Sequence, residues 1–471
     1  MPREILDLTK SLTRGINVKP ENSLFADYLA SAQDVKVCPF GLGYYDFTRS
    51  GYTVFGTWPT PQTLVSLNEI FALGTTTVFT ANPSTWALTS ASVVDTSGNP
   101  ASPTAGGVWH TAMIGDLWVA CNGNSMLISG ADIITTDNAP NTVGTLKGRL
   151  LAGGMASFIS SASADNINSL RVSHGDYASF SLEENMLYYA SADIMDFFHL
   201  LFGTFNKELL TQYFQNNEAG YLPMNWKGKI HCIKELGDGA VVYGESGIAF
   251  VKFEESPIAL SRVDLASYGI AERGAVAGDI SEHCFIDENL KIRKITPDLK
   301  ISEPLYDDYT TGFTDSIVGT FDPIERNYFF CDDVFGLVLS DSGLSLVTAS
   351  YSSMFVHGGS LIKIASASAS GVQKFTTGFF DMGSRDHKLV VGVRLGTTVE
   401  SRVRLRYRDS SLVSISTSSW VTIDATGYAE FMISAIEFQI EVERTGSGTP
   451  SYTSLFVEYE RNGKLGLSGR L

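Results

Sequence analysis

Charge is scarce in this chain, and positive charge is scarcest. Only 18% of its 471 residues are charged, with 34 Lys and Arg against 51 Asp and Glu. Soluble domains usually carry about a quarter. The net charge of −17 repels phosphate, which excludes a nucleic-acid binder of the ordinary basic kind. No run of about 18 apolar residues occurs, so no membrane span is predicted. The first 20 residues, MPREILDLTKSLTRGINVKP, lack the apolar core of a secretory signal, so synthesis in a cytosol is expected. Cysteine is sparse too. Cys38, Cys121, Cys232, Cys284 and Cys331 are far apart and form no CxxC, and buried free thiols are the expectation.

Catalytic signatures are missing as well. There is no GxxxxGK[ST] loop and no strand–GxGxxG–helix unit. The seven histidines show no HxxxH or HxH spacing. His231-Cys232 and His283-Cys284 are adjacent pairs, but neighbours on a strand face opposite ways, so each pair supplies at most one inward ligand. Gly244-Glu245-Ser246-Gly247 places its second glycine one residue too early for a nucleophile elbow and reads as a hairpin turn. Glycosidase chemistry needs only two carboxylates. Asp307-Asp308, Asp332-Asp333 and Glu254-Glu255 are the sequence-adjacent acids, and pairs in turns are ordinarily solvated. No catalytic, cofactor-binding or metal-ligating residue is assigned.

Aromatic residues are plentiful, and 28 Phe, 19 Tyr and 6 Trp exclude disorder as the dominant state. They sit in short apolar runs separated by Gly, Ser, Thr, Asn and Asp, such as TLVSL at 63–67, IFAL at 70–73 and LWVAC at 117–121. This is strand–turn–strand texture. Sets of such runs return about every 40–50 residues, a period that suits propeller blades. The predicted fold is all-β: an N-terminal extended arm (1–36), a β-propeller of about six irregular blades (37–374) and a jelly-roll-like C-terminal β-sandwich (375–471), where strands are longer and alternate more strictly. The best helical stretch is Ala192–Gln215, broken by Gly203. Charge divides unevenly among the three segments. The first and last are neutral, and the middle holds 18 basic and 35 acidic residues.

One pattern stands out. Ser401–Arg408 reads SRVRLRYR, which puts Arg402, Arg404, Arg406 and Arg408 on one face of a strand and Val403, Leu405 and Tyr407 on the other. Four guanidiniums in a row need something acidic opposite. Glu437, Glu441 and Glu443 have the alternation of a neighbouring strand. An acidic surface of another subunit, or nucleic acid, would also serve. The row is therefore both a candidate solvated face and a candidate subunit interface.

From His231 to Glu254, HCIKELGDGAVVYGESGIAFVKFE resembles the tail-nozzle proteins of short-tailed bacteriophages, also called packaged DNA stabilisation proteins or tail accessory factors. The likeness lies in a strand (Val241–Gly244), a glycine-containing hairpin closed by Ile248, and an aromatic strand (Phe250–Phe253). It continues through Tyr268-Gly269-Ile270, Cys284-Phe285-Ile286, Ile292–Ile295 and Ile301-Ser302-Glu303-Pro304-Leu305, and covers roughly residues 230–345. The resemblance implies a structural virion protein without enzymatic activity or cofactor. It would be one subunit of a ring, a hexamer, below the portal and adaptor, which seals and then conducts the packaged double-stranded DNA during ejection without specific binding. An acidic wall favours slip over grip. Two other readings are a tail-tip or receptor-binding component, and a virion-associated glycan-active propeller enzyme.

Overall fold

Tight turns set the topology. In the computed structural model, Lys147 (φ 51°) and Gly148 (φ 75°) form a two-residue connection between Thr142–Leu146 and Arg149–Gly153, paired in antiparallel register. Two positive φ values in succession give the type I′ twist that matches neighbouring strands. Between His110–Ile114 and Leu117–Cys121, Gly115 alone has positive φ (55°), the type II′ pattern, which also suits the twist of a hairpin. The structure describes residues 3–14, 16, 29–39, 41–44, 52–54, 63–66, 70–154 (except 83–84, 86, 96, 131 and 137–138), 185–189, 220–365 (except 256–257, 307–309, 314–316, 333–335, 348–350 and 358–359) and 373–461 (except 398, 411–412 and 446–450). Among the described residues the chain is all-β. Its helices are one α-helical turn and a half at Thr9–Arg14 and a 3-10 turn at Thr310–Gly312. The helical stretch expected at 192–215 lies outside the described residues.

The chain divides into two compact units that are interleaved in sequence. One comprises Gly51–Asp332 and Tyr351–Ala365. Among the described residues it is built from seven small sheets or hairpins in chain order. Thr63–Ser66, Ile70–Leu73, Val78–Ala81 and Leu88–Ser90 form the first. His110–Ile114, Leu117–Cys121, Met126–Ile128 and Ile133–Thr136 form the second, with Val93–Val94 added in parallel. Thr142–Leu146, Arg149–Gly153, Met186–Tyr189 and Gly220–Pro223 make the third, and Ile230–Leu236, Gly239–Gly244, Ile248–Glu255 and Ile258–Ala266 the fourth. Val276–Asp279, Glu282–Ile286 and Ile292–Ile295 make the fifth. The hairpin Val318–Asp322/Asn327–Cys331 is sixth. Tyr351–His357 and Ser360–Ala365 are seventh, with Tyr52–Val54 parallel on the edge.

From the second sheet onward, the opening strand of each lies against the opening strand of the next, and the seventh lies against Thr63–Ser66 of the first. Apolar residues fill the seams. Leu73, Val93, Trp109, Trp118 and Leu127 join the first sheet to the second. Leu151, Leu187, Ile230, Ile233 and Val242 join the third to the fourth. Leu236, Tyr243, Val276, Phe285 and Ile295 join the fourth to the fifth.

The other unit comprises Met1–Ser50, Asp333–Ser350 and Ser366–Leu471. In one sheet, Tyr452–Arg461 lies between Glu4–Asp7 and Lys388–Thr397, and Tyr428–Ala435 flanks the latter. In a second, Leu344–Val347, Leu29–Gln33, Lys374–Thr377, Glu437–Arg444 and Ser401–Arg408 follow one another. Phe375 of the second meets Tyr452 of the first edge-on, with ring centroids 5.1 Å apart, and the Tyr452 and Ser401 hydroxyls are 3.0 Å apart.

This division differs from the three segments expected from sequence. The described residues of 1–36 are not a free arm. Glu4–Asp7 pairs with the last described strand (Glu4 opposite Tyr459), and Leu8 and Leu12 are buried to 1% and 0% exposure. Nor does a boundary fall at 374/375, because Lys374–Thr377 sits between Leu29–Gln33 and Glu437–Arg444. The partners of the N-terminal residues lie some 450 positions away, beyond the reach of any local pattern. Leu12→Ala is therefore expected to cost about 2–5 kcal/mol, read as a lower urea midpoint. A free arm would show no change.

Candidate functional site: the arginine ladder and the locked histidines

The four arginines expected on one strand face are there, and most of their partners lie in the same chain. Ser401–Arg408 pairs antiparallel with Glu437–Arg444, in a register that sets Arg402 opposite Glu443, Arg404 opposite Glu441, Arg406 opposite Gln439 and Arg408 opposite Glu437. Directly opposed side chains share a face. Arg404 Nε donates to Glu441 at 2.6 Å, Arg408 Nε to Glu437 at 2.6 Å, and Arg402 Nη2 to Glu443. Trp420 lies beneath two of the guanidiniums, 4.7 Å from Arg402 and 4.4 Å from Arg404. Phe379 lies 4.1 Å from Arg408. Flat guanidiniums stack on aromatic faces while their edges stay free for carboxylates. Of the four, Arg406 alone has no carboxylate partner among the described residues, so the row does not require an acidic second chain.

Glu441 is the keystone of the ladder. It is 2% exposed and takes a second ion pair from Lys374 at 2.5 Å. Burial alone raises its carboxyl, but Arg404 and Lys374 together hold it below the ordinary value. A depressed carboxyl stabilises the fold above its unfolded pKa, and that contribution disappears as pH falls through the folded value. Glu441→Gln should destabilise by about 2–3 kcal/mol, the low side for a buried pair because both cations keep part of their surface in water. Its stability should also fall less steeply than that of the wild type below about pH 4.5, as measured by urea unfolding across pH.

Two histidines in the Gly51–Asp332 unit are held neutral by the same arrangement. His283 is fully buried, with Nε2 2.8 Å from the Glu235 carbonyl and Nδ1 2.9 Å from the Tyr243 hydroxyl. A carbonyl only accepts, so Nε2 carries the proton and Nδ1 accepts from the tyrosine. Burial, aided by the nearby Lys234 charge, pushes His283 down to about 3. In His110, Nε2 is 3.0 Å from the Arg273 carbonyl and Nδ1 is 2.6 Å from Thr142 Oγ1. Burial depresses it well below its usual value. The thiols are equally quiet. Four of the five cysteines are buried, and burial raises Cys121 and Cys232 to about 11 and Cys284 further. Protonated, enclosed thiols are poor nucleophiles.

The remaining sequence candidates fall as follows. Gly244–Gly247 closes the hairpin between Gly239–Gly244 and Ile248–Glu255, with the Gly244 N–H donating to the Gly247 carbonyl at 2.8 Å. Trp226 lies flat over both glycines, leaving no room for a Cβ at either. Glu254 is exposed on its strand. Asp307, Asp308 and Asp333 lie outside the described residues. Among those described, no group of three or more His, Cys, Asp and Glu is gathered as a metal site. Sequence reasoning missed the Trp420 stack and Lys374, and nothing in the local pattern marks either.

No protein-family model and no curated protein matches the chain. Solved structures with a similar arrangement include the WD40 domain of Pan2 from Neurospora crassa (7% identity, TM-score 0.35, covering 65% of this chain and 86% of that one). BamB from Moraxella catarrhalis is also similar (7%, TM-score 0.33, covering 70% and 89%). So is PorZ of the Porphyromonas gingivalis type-IX secretion system (7%, TM-score 0.35, covering 79% and 46%).

Because His283 is neutral when folded and free to protonate when unfolded, its contribution is complete above about pH 6.5 and is lost as pH falls from there toward 3. The wild type should lose up to about 1.4 kcal/mol per pH unit more than His283→Gln across that window, read from urea midpoints at matched ionic strength.

Proposed function

We propose that the chain is a structural virion protein, a subunit of the ring-shaped nozzle of a short phage tail, made in the host cytoplasm and assembled with portal and adaptor proteins. In this reading the ring, a hexamer, seals and then conducts double-stranded DNA. The Gly51–Asp332 unit is its irregular β-propeller, with seven blades in place of the six expected from sequence. The other unit is its jelly-roll-like sandwich.

The observation that carries the reading is the fate of the basic charge. Three of the four arginines in the chain's densest run are paired with Glu437, Glu441 and Glu443 of the same chain, while the chain as a whole carries −17. A conduit for a polyanion has to avoid counterion-release binding, and an internally neutralised arginine row achieves that. The four buried thiols and the doubly bonded His110 and His283 also favour scaffold over catalyst, because these groups are held in unreactive forms. The strands at Gly239–Gly244 and Ile248–Glu255 have the order that the nozzle resemblance implies for this stretch.

Negative-stain images of the purified full chain, alone and mixed with its portal, should show closed rings. Monomers under both conditions would overturn the reading. Duplex DNA should migrate unretarded with the protein at about 50 mM salt, and a retained complex would count against a slippery lining. Release of reducing sugar from glycans would instead support the enzyme reading.

A further inference from the structure

We propose that the Gly51–Asp332 unit binds a small tetrahedral oxyanion, of the phosphate or sulfate kind, at Arg273. There a part-buried guanidinium reaches the second sheet with no acid to balance it among the described residues and with its buried Nε–H unpaired. The inference does not depend on the tail reading.

Arg273 lies just before the opening strand of the fifth sheet, and its carbonyl accepts from His110 Nε2 in the second. Its side chain reaches the hairpin that follows Leu117–Cys121, where Nη2 meets the Cys121 carbonyl at a long 3.4 Å. Nε is buried and has no acceptor. No carboxylate pairs with the group among the described residues. A guanidinium has five N–H donors and keeps its proton under all ordinary conditions, so this charge cannot be neutralised by titration as a buried lysine can. An unbalanced, poorly hydrogen-bonded cation in such a place is costly.

The surroundings are shaped around it. A Cβ at Gly123 would stand 2.7 Å from Nη1, and one at Gly107 3.3 Å from it. Gly123 is itself in the left-handed region (φ 88°). The backbone at these two glycines thus approaches the guanidinium closely, which a side chain at either position would prevent. A second orphan lies near: His231 Nδ1 is buried without a partner, and His231 is close enough to Arg273 to feel its charge. His110, His231 and Arg273 lie together: burial and the arginine lower both imidazoles, while Glu245 opposes this at His231. A compact oxyanion offering two oxygens to the guanidinium edge supplies both the missing charge and the missing acceptors. Because His110 and Cys121 belong to the second sheet and Arg273 leads into the fifth, the anion would tie the second sheet to the fifth.

The test is calorimetric titration and thermal unfolding of the full chain with inorganic phosphate and with sulfate, against chloride at equal ionic strength. The expected result is saturable heat and a saturable rise in Tm with either oxyanion. R273M should abolish both, and R273K, which keeps the charge but loses the two-pronged edge, should weaken binding about tenfold, equivalent to about 1.4 kcal/mol. The proposal is overturned if the wild type shows no saturable response, or if R273M responds as the wild type does. R273M removes a charge that has no partner and is expected to fold. If it does not, R273K decides, and unchanged affinity there overturns the site.

Discussion

Sheets of three to five strands cannot stand alone in water, because each has one face to bury and too little area to bury it within itself. The Gly51–Asp332 unit is organised by that constraint. Each small sheet covers its neighbour, and the seam residues belong to two sheets at once: Ile230 and Ile233 close against Leu151 and Leu187, and Tyr243 closes against Phe285 and Ile295. The polar groups trapped in these seams must find partners there, since water does not reach them. Hence the two histidines each spend both ring nitrogens on a carbonyl and a hydroxyl. Their chemistry is a by-product of packing.

Much of this was legible in the sequence, and the boundary between legible and hidden is physical. Short runs such as Ile70–Leu73, Leu117–Cys121 and Met126–Ile128 are strands because apolar content and turn residues are local signals, and the structure has strands there. The alternation in Ser401–Arg408 gave the correct face for every residue, and Glu437, Glu441 and Glu443 were recognisable as a partner face. What alternation does not carry is pairing over distance. Nothing in Glu4–Asp7 points to Tyr452–Arg461, and nothing in Leu29–Gln33 points to Lys374–Thr377, so the N-terminus read as an arm and the domain edges were misplaced. The number of small sheets was not legible for a related reason. The seventh sheet takes Tyr52–Val54 from far upstream, where a period counted along the chain does not find it.

The two groups of arginines show opposite solutions to one electrostatic problem. On the Ser401–Arg408 strand each guanidinium but one is given a carboxylate across the ladder, and the guanidiniums of Arg402, Arg404 and Arg408 stack on Trp420 or Phe379. At Arg273 the same chemical group, equally half-buried, meets one carbonyl and the backbone of two glycines. The first arrangement is complete within the chain, whereas the second is complete only with an anion from outside. Composition does not distinguish them, since both are arginines beside apolar strands. The difference lies in which strand the register places opposite.

The pairing of the first strand with the last described one also has a consequence for biosynthesis. At about 5–20 residues per second, a ribosome needs on the order of half a minute to a minute and a half to reach Tyr452–Arg461 after releasing Glu4–Asp7. During that time the intervening sheets emerge in order and have their neighbours at hand. The N-terminal strand waits with an open edge, a hazard for sticking to other nascent chains. Quality control by holdase chaperones would therefore act on this segment, and a bulky fusion at the amino end would hinder the final closure far more than one placed in a surface turn.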